Sequence, residues 1–218
     1  MQPLLENLHR FRPESFGVAR DLLQHAPLHE PPAALLVTCA DAGLLAELLT
    51  QTNPEGFCLA SGLGTFVPPA GAFADGNDDS LAATLDYAVR VLHVRDIVVC
   101  GHSRCCATAT ILRGSLPGAP RDYLSRWLQR TAPLRDLILA HYMHLTDPAQ
   151  RQRAAEQETV LVSLEHLFTY PCVRERLDRG ALHLHGWFFD TPTGELFVYN
   201  PAAGRFELLM TFADGRCG

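Results

Sequence analysis

Short apolar runs alternate with stretches of helical periodicity along most of this chain. Residues 33–38, Ala-Ala-Leu-Leu-Val-Thr, are apolar and partly β-branched, end at Cys39, and predict a buried central strand. Residues 57–60 predict a second strand, 96–100 a third, 181–189 a fourth and 195–199 a fifth. Gly101 is expected to break the third. Between the strands, 44–50, 81–93, 106–113, 127–144, 154–168 and 173–179 repeat apolar positions every three or four residues and read as helices. Ser80 is a plausible cap for the second of these, Pro133 splits or kinks the fourth, and Gly180 caps the last. Upstream, 4–26 reads as two short helices separated by Pro13. Residues 61–65, 72–79 and 114–122 read as loops.

Helices alternating with strands imply a parallel sheet. The turn at 190–194 makes the last two strands a hairpin, so the fifth is antiparallel at the edge. The expected fold is α/β: a central, mostly parallel sheet of four parallel strands and one antiparallel edge strand, flanked by helices. Residues 1–218 are expected to form a single domain, with 1–30 as an N-terminal helical arm that packs on its own subunit or reaches a partner.

Composition narrows the class. The 218 residues are 47% hydrophobic and 19% charged, as in an ordinary globular protein. The net charge of −6, with no basic run, argues against nucleic acid and anionic membrane surfaces. No apolar stretch reaches the length of a membrane span, and no signal peptide is read at the N-terminus, so the expected location is cytoplasmic. The seven cysteines are odd in number in a chain that is not small, which favours reduced thiols, some of them metal ligands, over a disulfide framework. Cys217 reads as a tail thiol and Cys100, inside a strand, as core.

The candidate chemistry sits at strand ends. Cys39 closes the first strand; His102 and Cys105 follow the third. If those strands are neighbours, two thiolates and an imidazole converge where ligands collect in open α/β sheets, a donor set that suits Zn²⁺ and leaves a fourth position. Asp41 is the nearest group to occupy or border that position. Each residue also has a plainer reading: a cysteine at a strand end is most often a small core hydrophobe, and Cys106 either replaces Cys105 as ligand or sits idle. His183 and His185 alternate on a strand and read as structural.

Cys39-x-Asp41 followed by Gly101-His102-x-x-Cys105 resembles the β-class carbonic anhydrases. The likeness extends to the helix over 81–92, to Ser-Leu-Glu-His-Leu-Phe-Thr-Tyr-Pro at 163–171 and to Leu-His-Gly-Trp-Phe-Phe-Asp at 184–190. The resemblance implies zinc on Cys39, His102 and Cys105, reversible hydration of CO₂ to bicarbonate through zinc-bound hydroxide, and a homodimer or higher oligomer with sites at the subunit interface.

The chain departs from that pattern in four places. The family motif Cys-x-Asp-x-Arg has Gly43 in its last position; the family's Arg pairs with the Asp and keeps it off the metal. The loop resembling Arg-Asn-x-Gly-Asn reads Ser61-Gly62-Leu63-Gly64-Thr65, where only Gly64 remains. Cys106 stands where the family generally has Gly. Glu30 occupies the place of a substrate-contacting Gln and accepts hydrogen bonds without donating them. Arg104 is the nearest cation in sequence to stand in for the missing guanidinium. Without it Asp41 is free to become the fourth zinc ligand, which would close the site. Two functions follow: a carbonic anhydrase of reduced activity, with Asp41 and Glu30 as catalytic groups, or an inactive zinc-binding pseudoenzyme with a structural, regulatory or scaffolding role and a protein partner. A changed substrate such as carbonyl sulfide ranks below both.

Overall fold

A computed structural model describes residues 32–42, 56–73, 80–115, 123–211 and 216–217. The helices expected over 4–26 and 44–50, the arm at 1–30, Glu30 and Gly43 lie outside them. The strands are β1 (Ala34–Cys39), β2 (Phe57–Gly62), β3 (Asp96–His102), β4 (His183–Asp190), β5 (Glu195–Asn200), β6 (Arg205–Thr211) and β7 (Arg216–Cys217). The described α-helices are α1 (Ser80–Arg90), α2 (Cys106–Arg113), α3 (Tyr123–Arg130), α4 (Ala132–Tyr142), α5 (Pro148–Leu167) and α6 (Pro171–Asp178).

One sheet runs in the order β2-β1-β3-β4-β5-β6-β7. β2, β1, β3 and β4 are parallel; β5, β6 and β7 each pair antiparallel with the strand before. The antiparallel wing is therefore wider than the single edge strand expected. Asn200 turns the chain into β6, its Oδ1 accepting the Ala202 and Ala203 N–H groups, and the Asn-Pro-Ala-Ala-Gly run at 200–204 is the turn signal that marks it in the sequence.

Every residue of β1 is buried. Leu35 and Val37 pack with Ile97 and Val99 against Leu85 and Val89 of α1, Val160 and Leu167 of α5 and Val173 of α6. Leu36, Val98 and Cys100 form a second cluster with Phe189 and Leu196. A strand buried on both faces needs an unbroken apolar run, which is why β1 and β3 show no alternation.

Helix ends follow local chemistry. Thr131 separates α3 from α4, and Pro133 lies in the first turn of α4, so the proline splits the expected 127–144 helix. α5 starts earlier than its apolar pattern, because Asp147 caps it through Ala149 N–H and Pro148 occupies the first helical position.

Gly101 does not break β3; the strand continues through His102. Its lack of a side chain serves packing instead. A Cβ there would lie 2.6 Å from Val160 Cγ2 and 3.5 Å from the Glu156 carbonyl oxygen, and Val160 is itself fully buried. Gly101→Ala is expected to cost about 1–3 kcal/mol by overpacking, read as a lower urea midpoint at unchanged m-value.

Candidate metal centre

The order β2-β1-β3 means that the chain leaves β1 towards one side and later returns on the other. The carboxyl ends of β1 and β3 thus flank a topological switch point, where open α/β sheets leave a crevice. The register pairs Thr38 with Cys100, so Cys39 and His102 emerge together at that end. After His102 the chain makes a tight turn through Ser103 and Arg104, with Arg104 at φ 58°, and delivers Cys105 as the N-cap of α2.

The ligand atoms of Cys39, His102 and Cys105 all lie within 4.8 Å of one another, and all three residues are buried. The two sulfurs are 3.7 Å apart. His102 Nδ1–H donates to the Ser103 carbonyl at 2.9 Å; a carbonyl only accepts, so the proton sits on Nδ1 and the lone pair of the neutral ring on Nε2. Nε2 is buried and has no hydrogen-bond partner among the described residues. A buried imidazole nitrogen left unpaired beside two thiols is costly without a ligand, and two sulfurs with one imidazole match the preference of zinc.

The thiols share their protons unequally. A hydrogen bond from the Cys39 thiol holds Cys105 well below the usual thiol range despite burial, with help from His102 and the Thr108 N–H. Cys39 is pushed up, first by that same hydrogen bond, then by burial and the charge of Cys105. Its sulfur nevertheless accepts the N–H groups of Asp41 at 3.3 Å and Gly64 at 3.2 Å. Gly64 holds φ 67° to aim that N–H, a conformation that favours glycine. Burial lowers His102, but the Cys105 thiolate, the Ser103 carbonyl and the Glu156 charge together raise it.

Asp41 is exposed, and its carboxylate is not part of the three-donor group. Asp41 Oδ2 accepts the Cys106 N–H at 2.7 Å, at the first residue of α2, where the helix dipole favours an anion. The Asp41 carboxylate is thus held by a backbone N–H, and Arg104 is not its partner among the described residues. Cys106 is exposed and outside the group; the Asp41 charge raises its thiol pKa. Cys100 is buried in the core, where desolvation pushes its thiol up. His183 and His185 both approach Asp96 Oδ1, at 3.5 and 2.8 Å, at the opposite end of β3, about 20 Å away along the strand.

Two residues at the site were not legible as such in the sequence. Glu156 and Gln152 of α5 contact the Cys105 backbone. Glu156 is buried, and burial pushes its carboxyl up to about 7 against hydrogen bonds that favour the charge. The available signal was a carboxylate on the helix face shared by Ala155, Thr159, Val160 and Ser163, otherwise apolar or small.

A family model described as carbonic anhydrase matches residues 34–196. The chain is 34% identical to a carbonic anhydrase of Synechocystis sp., over 92% of this chain and 71% of the relative. It is 33% identical to a carbonic anhydrase of Pseudomonas aeruginosa, over 99% of this chain and 95% of the relative. Among solved structures, that of the β-carbonic anhydrase CcaA superposes with a TM-score of 0.82 at 32% identity, covering 95% of this chain and 98% of that one. With the Cys-His-Cys group at the sheet's switch point, these likenesses place the chain in the carbonic anhydrase family, in its β class.

Proposed function

We propose that this protein binds one Zn²⁺ per chain through Cys39, His102 and Cys105 and catalyses the reversible hydration of CO₂ to bicarbonate, at a rate well below that of typical relatives. The observation that carries the reading is the unpartnered, buried His102 Nε2 converging with two thiol sulfurs. Bound there, zinc would supply the acidity that turns a water into a nucleophile towards CO₂. The protein's part is to hold and orient. Ser103 fixes the His102 tautomer, and the Asp41 and Gly64 N–H groups steady the Cys39 sulfur. Asp41 Oδ2 is tied to the Cys106 N–H at the start of α2, two residues along the chain from Cys39. A cleft of about 780 Å³ lined by Ala40, Gly62, Phe66 and Trp127 opens next to the carboxyl ends of β1 and β2, where Gly62 pairs with Cys39; its largely apolar lining suits a small nonpolar substrate.

The reduced rate rests on Gly43, Glu30 and the Ser61–Thr65 loop, which remove a guanidinium and several donors from a site with two anionic sulfurs. Cysteine thiolates already balance the zinc charge, so nearby cations and donors matter more for acidifying water. The second reading is a pseudoenzyme closed by Asp41 as fourth ligand. The Asp41–Cys106 contact favours the open site. The decisive experiment is stopped-flow CO₂ hydration on zinc-loaded protein, with metal content measured on the same sample. Slow but metal-dependent turnover is expected; rates usual for the family overturn the reduced-activity reading, and zinc without turnover selects the pseudoenzyme.

We read the protein as a cytoplasmic homo-oligomer of at least two copies. Six unpaired thiols among the described residues suit a reducing compartment, and no described helix is long and apolar enough to cross a membrane. Leu59, Leu63 and Tyr123 are exposed near β2 at the edge of the sheet, an apolar surface suited to a second copy.

Metal uptake is expected to release protons. Metal binding needs both sulfurs as thiolates, and the Cys39 thiol, held up by its hydrogen bond to Cys105 and by burial, is the one that must give up its proton. Affinity should therefore rise with pH, by about tenfold per pH unit for each proton released. His102, whose pKa is raised by the Cys105 thiolate against its burial, adds to the protons released as the pH falls. Calorimetry in buffers of different ionisation enthalpy counts the protons directly.

A further inference from the structure

We propose that Gln152 and Glu156, one helical turn apart on α5, are positioning residues that clamp the Cys105 peptide and so set how slowly the metal leaves the Cys39–His102–Cys105 group. The inference rests on the metal-site reading above.

Cys105 is joined to the sheet by only a two-residue turn, and its backbone is extended, at φ −69° and ψ 115°. As N-cap of α2 its carbonyl begins the helix, accepting from Ala109 N–H, but its own N–H has no helical role. Glu156 Oε1 accepts that N–H at 2.8 Å. Gln152 Nε2 lies 3.4 Å from the Cys105 carbonyl and donates to Glu156 Oε1 at 3.0 Å. One side chain thus holds the N–H of the ligand residue, the other reaches its C=O, and the two hold each other.

The anchor is stiff. α5 spans Pro148–Leu167, and Val160, one turn beyond Glu156, packs directly over Gly101, immediately before His102 in β3. The same helix face therefore meets the chain just before one ligand and at another. Glu156 is 3% exposed. A buried carboxylate is expensive unless its hydrogen bonds are made, and an apolar side chain would fill this core position at lower cost. What the carboxylate adds is a partner for the Cys105 N–H. Groups that orient metal ligands are worth about 10–100-fold in affinity or activity.

The test uses full-length, zinc-loaded protein and follows zinc release to a chromogenic chelator. Glu156→Leu leaves the Cys105 N–H buried without an acceptor and is expected to release zinc about 10–100-fold faster. Glu156→Gln keeps an acceptor oxygen at the same reach and should restore release to within about threefold of the parent, the smaller change expected when the hydrogen bond survives. In the Co²⁺-substituted protein, Glu156→Leu should shift the thiolate-to-cobalt charge-transfer band, which a merely destabilised core would leave in place. Parental release and spectrum in Glu156→Leu overturn the clamp. So does a Glu156→Gln protein as fast as Glu156→Leu, which would assign the effect to charge. If Glu156→Leu does not fold, Gln152→Ala decides, with release faster by about threefold or more supporting the clamp and unchanged release overturning it. Failure of the parent protein itself to retain zinc or cobalt would refute the metal-site reading, an outcome distinct from all of these.

Discussion

Replacing Gly43 by arginine is expected to raise the rate of CO₂ hydration by on the order of 10²-fold, at unchanged zinc content, the scale of one well-placed donor at a site of developing negative charge. Among the described residues Asp41 is held by the backbone N–H of Cys106 at the start of α2. A backbone N–H is neutral and fixed; it orients one carboxylate oxygen but brings no full positive charge to a centre with two anionic sulfurs. A guanidinium two residues after Asp41 would add a charged fork able to grip the carboxylate through two parallel hydrogen bonds. Gly43→Lys supplies the charge without the fork and should recover only part of the gain. The comparison is made by stopped flow on samples with equal zinc. No gain in Gly43→Arg would shift the cause of slow turnover to Glu30 and the Ser61–Thr65 loop.

Cys105→Ser is expected to abolish stoichiometric metal binding while leaving the fold in place. Cys105 has two separable roles. Its sulfur caps α2, accepting the Thr108 N–H at 3.4 Å, and in the proposed metal site it is one of the two thiolates. Serine is a preferred N-cap, so the helix keeps its start. A serine hydroxyl stays protonated at neutral pH and is a poor substitute for a soft anionic sulfur. The loss in affinity should exceed the roughly 10–100-fold typical of outer partners. Metal analysis after gel filtration, with circular dichroism on the same sample, separates the two roles. Full metal occupancy in this variant would transfer the ligand role to Cys106, the neighbouring exposed thiol.

Much of the fold was legible because its periodicities are strong. β1 and β3 are unbroken apolar runs, and the α1 pattern is amphipathic over its whole length. The width of the antiparallel wing was not, because β6 is partly exposed and carries Arg205 and Glu207 among its apolar residues, so its signal lies mainly in the turn that precedes it. Gly101 departs from its sequence expectation for a related reason. A glycine in a strand looks like a break in one dimension, and only the approach of Val160 from a distant helix explains it.

The sequence by itself brought out Cys39, His102 and one of the neighbouring pair Cys105 and Cys106 as candidates for a metal group, since they stand where apolar runs stop, and strand ends are where an α/β sheet places its chemistry. It also exposed the departures at Glu30, Gly43 and the Ser61–Thr65 loop, which need only a motif to be seen. Only the tertiary structure decided that β1 and β3 are neighbours and that Cys105, not Cys106, faces Cys39. It alone showed that Asp41 rests on the Cys106 N–H, and that Gln152 and Glu156 reach across from α5 to the Cys105 peptide. The physical reason is separation along the chain. Strand and helix patterns arise from neighbours a few residues apart, whereas Cys105 meets Cys39 and Glu156 across 66 and 51 residues, through contacts that exist only once the sheet is assembled and α5 has packed on it.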